Sequence, residues 1–112
     1  MINYDFGDIV LVDFPFSGTR QRKKRPALVI LDVEDRDVVL APITSAKRSG
    51  VGDYKLQDWS TGGLLKTSWV RLAKIASLEK GDITRRMGHC TDYDKQKIST
   101  LWQNTYRLFP KI

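Results

Sequence analysis

Three short apolar runs, joined by polar segments between Gly7 and Ser45, constrain the fold more than any other feature of the chain. Ile9-Val10-Leu11-Val12-Asp13-Phe14 is apolar and β-branched at most positions, as a strand requires. So apolar a run is expected to be buried on both faces, in a small barrel or against a second copy of the chain. Pro15 and Gly18 end it. Pro26 opens a second run, Ala27 to Leu31, at a strand start where proline is tolerated. Val33-Glu34-Asp35-Arg36-Asp37 then forms a polar turn before Val38 to Ile43, so the second and third strands are expected to pair as a hairpin.

The joints hold the charge. Five of the nine residues from Ser17 to Arg25 are cationic (Arg20, Arg22, Lys23, Lys24, Arg25) and none is acidic. The third run ends in Thr44 and Ser45, followed by Lys47, Arg48 and two glycines. The working site is expected where Arg25, at the head of one strand, meets Thr44, at the end of another. The whole chain carries a formal charge of +6. An anionic partner fits that surplus, and its local density points to nucleic acid over a merely solvated loop.

The remainder reads as shorter strands and a closing helix. Tyr54 to Leu56 is expected as a short edge strand, and Asp58 to Thr67, with Gly62-Gly63, as a loop. Ser68 to Ala76 alternates as one long bent strand or two short ones. Leu78 to Gly81 reads as a turn and Ile83 to His89 as a last strand. Thr91 is the expected N-cap of a helix, with Asp94 three residues on in the manner of a capping box. Ile98, Leu101, Trp102, Thr105, Leu108 and Phe109 follow on one helical face, and Pro110 ends it. The pattern predicts a mainly β protein with α: a small, strongly curved antiparallel barrel with an appended helix, as one domain over residues 1–112.

Counting excludes several chemistries. His89 is the only histidine and Cys90 the only cysteine. A two-histidine nuclease within one chain, an intrachain disulfide and a cysteine-rich zinc site are therefore ruled out. His89 and Cys90 are adjacent, and neighbours in a strand face opposite ways, which argues against a nucleophile pair. The aspartates are scattered without metal-loop spacing, so neither a metal site nor a cofactor is expected. No stretch reaches the ~20 apolar residues of a membrane span, and Met1 to Asp8 lacks the features of a secretory signal. A cytoplasmic protein with no membrane partner is expected.

A metal-free route does exist for RNA, whose 2′-hydroxyl is a nucleophile already beside the phosphorus. An arginine fork suits the crowded phosphorane oxygens, and a threonine hydroxyl adds a hydrogen bond. This residue pair permits RNA cleavage without demanding it.

Taken together, Gly7-Asp8-Ile9-Val10-Leu11-Val12, then Arg25-Pro26-Ala27-Leu28-Val29-Ile30, then Ala41-Pro42-Ile43-Thr44-Ser45 resemble the MazF/PemK (Kid) toxin family. Ser68 to Ala76, Leu78-Glu79 and the closing helix resemble its second half. The resemblance implies an SH3-like barrel with a C-terminal helix, assembled as a homodimer. It implies a sequence-specific, metal-independent endoribonuclease acting on single-stranded RNA, often mRNA, and leaving 2′,3′-cyclic phosphate and 5′-hydroxyl ends. It also implies an antitoxin partner whose acidic disordered segment occupies the RNA site. The family's catalytic arginine and threonine fall on Arg25 and Thr44. Ser17, Gly18, Arg20, Arg22, Lys23, Lys24, Ser45 and Lys47 are then the expected RNA-binding residues. The loop Ser17-Gly18-Thr19-Arg20-Gln21 departs from many members in lacking an acidic residue and in being more basic. Two other readings stay open at this stage. One is a non-catalytic toxin like the CcdB gyrase poisons, which share the fold. The other is a degenerate homologue that only binds RNA or antitoxin.

Overall fold

The computed structural model describes residues 2–15 and 22–107, the side chains of Phe14, Pro15 and Arg22 excepted. Seven strands and one α-helix make up the described chain. They are β1 (Asp8–Pro15), β2 (Arg22–Asp32), β3 (Asp37–Thr44), β4 (Asp53–Lys55), β5 (Trp69–Arg71), β6 (Ala76–Glu79), β7 (Ile83–His89) and α1 (Asp92–Arg107). The three apolar runs are β1, β2 and β3, with β2 reaching back through the basic residues to Arg22. Leu78 and Glu79 belong to β6, and the expected turn is a 3-10 turn at Lys80–Asp82.

The third strand is the hub. It pairs antiparallel with β2 along one edge, and with both β5 and β6 along the other. The alternating segment from Ser68 is thus two short strands, parted by a 3-10 turn at Leu72–Lys74. The change of partner falls between Leu40, paired with Ala76, and Ile43, paired with Val70. Pro42, which has no N–H to offer a ladder, sits inside that gap.

The sheet runs β4-β5-β3-β2-β1-β7, with β6 beside β3. Among the described residues no ladder joins β4 to β7, so the expected barrel is not closed by hydrogen bonds. The segment between β4 and β5 instead packs against β7. Gly63 has a φ of +88° there, and a Cβ on it would lie 2.5 Å from the Met87 carbonyl oxygen. A side chain at Gly88 would run into the backbone of Gly62. The two chains approach this closely because glycine occupies both sides of the contact.

Both faces of the central strands are buried, as the apolarity of β1 predicts. Ile9, Leu28, Ala41, Ile43 and Val70 enter one cluster, together with Leu56, Leu64, Leu72, Cys90 and Ile98 of the helix. The alternate residues Val10, Val12, Ala27, Val29, Val38 and Leu40 form a second, with Tyr4, Leu78 and Ile83 against it. Period-two alternation sorts the residues into these two cores.

Helix α1 lays the expected face on the first core. Ile98 and Thr105 are buried, while Leu101 and Trp102 pack against the cluster. Leu108, Phe109 and Pro110 lie outside the described residues. Thr91 caps the helix, its Oγ1 accepting the Asp94 N–H at 3.3 Å. The reciprocal half of the capping box is not made. The Asp94 carboxylate turns instead toward the chain after β4, where it accepts from the Tyr54 hydroxyl at 2.6 Å and from the N–H groups of Gln57 and Asp58, each at 2.9 Å. Thr91 completes the junction by donating to Asp58 Oδ2 at 2.8 Å.

Candidate nucleic-acid groove

Arg25 lies on β2 across from Val12 of β1. Thr44 lies on β3 across from Trp69 of β5. The β2–β3 ladder runs through Leu28↔Ala41 to Ala27↔Pro42. Carried on by two residues, that register sets Arg25 opposite Thr44. Both line one open groove of about 460 Å3, together with Lys23, Lys24, Pro26 and Ser45.

The opposite wall comes from a part of the chain that the sequence reading left as an unassigned loop. Leu64, Leu65, Lys66 and Ser68 line it, with Ile43 and Met87 beneath. This wall is built from several small constraints. Leu64 donates its N–H to the Trp59 carbonyl at 3.2 Å and buries its side chain in the first core. Ser68 donates to the Lys66 carbonyl at 2.8 Å, and its own carbonyl accepts the Leu56 N–H at 3.0 Å. Leu65, next to the buried Leu64, is 91% exposed. Asp94 anchors the start of the whole segment. The only sequence signal for that anchor was an acidic residue at the third position of a helix, which reads equally well as a capping box.

Four cations line the groove (Lys23, Lys24, Arg25, Lys66), and the described lining contains no carboxylate. Such a site favours an anion. Thr44 presents a defined donor to it. Its Oγ1 accepts the Ala46 N–H at 3.1 Å, so the hydroxyl proton is what it has left to give.

The other expected site residues fall elsewhere. Lys47 is exposed beyond the groove, where its carbonyl accepts from Arg48. The Arg22 side chain and all of Ser17, Gly18 and Arg20 lie outside what is described. His89 serves structure: its Nδ1 sits 2.7 Å from Asp8 Oδ1, while Asp8 Oδ2 accepts the Asp5 N–H and faces Arg86 at 3.1 Å. Among the described residues no three His, Cys, Asp or Glu side chains gather to hold a metal ion. No helix among them is long and apolar enough to cross a membrane.

Burial, with the Asp94 carboxylate nearby, pushes the Cys90 thiol up to about 12. It is therefore protonated and unreactive near neutrality. A thiol reagent such as iodoacetamide should leave Cys90 unmodified in the native protein and label it fully in denaturant. Rapid labelling without denaturant would contradict this.

The fold and groove define a small antiparallel β protein with a cationic cleft at the β2–β3 ends. Residues 5–103 match the family described as PemK-like, MazF-like toxin of type II toxin-antitoxin system, and the chain belongs to that family. Solved structures share the fold. An endoribonuclease in complex with its cognate antitoxin, from a mycobacterial species, superposes with a TM-score of 0.75 at 19% identity, over 95% of this chain and 97% of its own. The Mycobacterium tuberculosis toxin MazF-mt6 gives 0.75 at 19% identity, over 92% and 99%. A MazE–MazF structure from Deinococcus radiodurans gives 0.72 at 16% identity, over 95% and 97%. No curated protein matches the sequence. At these identities the structural likeness carries the fold and nothing finer.

Proposed function

We propose that this toxin is an endoribonuclease that cleaves single-stranded RNA without a metal, through the substrate's own 2′-hydroxyl. The observation that supports this most is that Arg25 and Thr44, distant in sequence, line one cationic groove. The 2′-oxygen attacks the adjacent phosphorus, and the bond to the 5′-oxygen breaks. A 2′,3′-cyclic phosphate and a 5′-hydroxyl result. Arg25 holds the phosphorane oxygens in its fork of donors, where its charge persists at any working pH. The Thr44 O–H donates to the same phosphate or orients the 2′-hydroxyl. Lys23, Lys24 and Lys66 bind the flanking phosphates, which positions the strand without reading it. The same cations would receive an acidic segment of an antitoxin, which would then block RNA by occupying its site. That the family is of toxin-antitoxin systems, and that one structural neighbour was solved with its antitoxin, supports this second role.

The test is digestion of single-stranded RNA by the purified protein in excess EDTA, with both product ends mapped. Cleavage with cyclic-phosphate and 5′-hydroxyl ends is the expected result. Binding with no cleavage under any condition would leave only a groove that docks RNA or antitoxin. A DNA strand of the same sequence should bind through its phosphates and stay intact, having no 2′-hydroxyl.

A further inference from the structure

We propose that Trp69 and Lys55 form a base-stacking subsite beside the Arg25–Thr44 pair, taking the base of a nucleotide that flanks the scissile phosphate. This rests on the reading of the groove as a site for single-stranded RNA.

The argument begins with the three tryptophans. Trp59 and Trp102 both pack against the first core, whereas Trp69 packs against neither core cluster. Its neighbour on β5, Val70, is fully buried and pairs with the buried Ile43. Alternation therefore turns Trp69 and Thr44, the next pair of that ladder, to the other face together. Directly opposed residues in an antiparallel pair sit about 5 Å apart at Cβ, so the indole is the immediate lateral neighbour of the Thr44 side chain. Across β5 the register continues to Lys55 of β4. One row thus crosses four strands: Lys55, Trp69, Thr44 and, by continuation of the β2–β3 register, Arg25. Ser68, the residue before Trp69, already lines the groove.

That order of groups suits a single strand. A cation and a hydroxyl would engage the phosphate, a half-buried aromatic face lies next to them, and a second cation follows. Stacking on an indole is open to every base, because each has a π-face. The Lys55 ammonium sits 6.0 Å from the centroid of the Trp69 ring. That is the outer limit of a cation–π contact, so the amine loses little on swinging to the next phosphate as a base takes its place. The alternative, that Trp69 merely completes a core, is opposed by its absence from both clusters.

The experiment uses the full chain and 2′-O-methyl oligonucleotides of mixed sequence, which offer no nucleophile and so report binding alone. Affinity is measured by fluorescence titration, and a matching set carries one abasic position each. Trp69→Ala should weaken binding about 10-fold, while Trp69→Phe stays within about 3-fold of wild type. One abasic position should cost wild type about as much as Trp69→Ala does. That same abasic strand should cost the Trp69→Ala protein nothing further, a coupling that a purely structural tryptophan would not produce. Lys55→Ala should lower the salt slope of binding by about one. Equal affinity of wild type and Trp69→Ala, or abasic penalties that add to the mutation at every position, would overturn the subsite. So would failure of wild type to bind. Cleavage of the unmodified RNA is scored separately. Trp69-dependent binding without cleavage retires the nuclease reading and keeps the subsite; cleavage with no Trp69 effect does the reverse.

Discussion

Arg25→Ala should slow RNA cleavage by about 10³-fold or more, on the scale known for arginines that stabilise phosphoryl transition states, and leave the fold intact. The side chain is exposed, and the buried positions nearby on β2 are Ala27 and Val29, so its removal opens no cavity. A surface change of that kind alters stability by about 0.5 kcal/mol or less. The loss should fall on kcat with KM nearly unchanged, because the phosphorane demands more of a guanidinium than the ground-state diester does. Arg25→Lys restores the charge without the planar fork and should recover little, remaining about 10- to 100-fold below wild type. Lys24→Ala is the contrasting case: weaker binding, a shallower salt slope and a kcat close to wild type. Wild-type turnover in Arg25→Ala, or a defect confined to KM, would remove Arg25 from the chemistry.

The pairing of Arg25 with Thr44 depends on one irregularity that no composition or periodicity reveals. Near the turn, β2 and β3 pair as Asp32↔Val38 and Leu31↔Val39. Beyond it they pair as Val29↔Leu40 and onward, so Ile30 is an extra residue in β2. Without that bulge the register would set Arg25 opposite Ser45 and slip the site by one residue, which in a strand reverses the face. The three long strands were legible because each is a continuous apolar run that only a doubly buried sheet explains. The groove's second wall was not. Leu64, Leu65, Lys66 and Ser68 belong to a stretch with no periodicity, placed by contacts with the distant Asp94, Met87 and Gly88. Trp69 was visible as an aromatic residue that stacks bases or fills a core, and only the ladder to Thr44 distinguishes those roles. The part of the basic loop containing Ser17, Gly18 and Arg20 lies outside the described residues, and their expected role in binding RNA stands as a proposal.

The second large effect should come from a residue outside the groove. Asp94→Ala should destabilise the protein by about 3–4 kcal/mol, read from urea unfolding, because it strands three donors at once. The carboxylate is completely buried and accepts from the Tyr54 hydroxyl and from the Gln57 and Asp58 N–H groups. Asp94→Asn keeps one acceptor oxygen but aims an amide NH2 at donors, so it should lose about 2–3 kcal/mol. Tyr54→Phe removes the donor along with its bond and leaves the carboxylate its two backbone partners, at a cost of about 1 kcal/mol. Burial and the adjacent carboxylate both push the Tyr54 hydroxyl well above its ordinary range, so it remains a donor at every working pH. If the two side chains act as one unit, the double variant should fall short of the summed single losses by about 1 kcal/mol. The damage should also reach the RNA site. Asp94 holds the start of the segment whose far end supplies Leu64, Leu65, Lys66 and Ser68. RNA affinity in Asp94→Asn should therefore drop at temperatures where the protein is still folded, with the Arg25-dependent step unchanged per bound complex. Unfolding of Asp94→Ala within about 1 kcal/mol of wild type, against the range expected for a buried hydrogen-bonded group, would show that the segment is held by its apolar contacts alone.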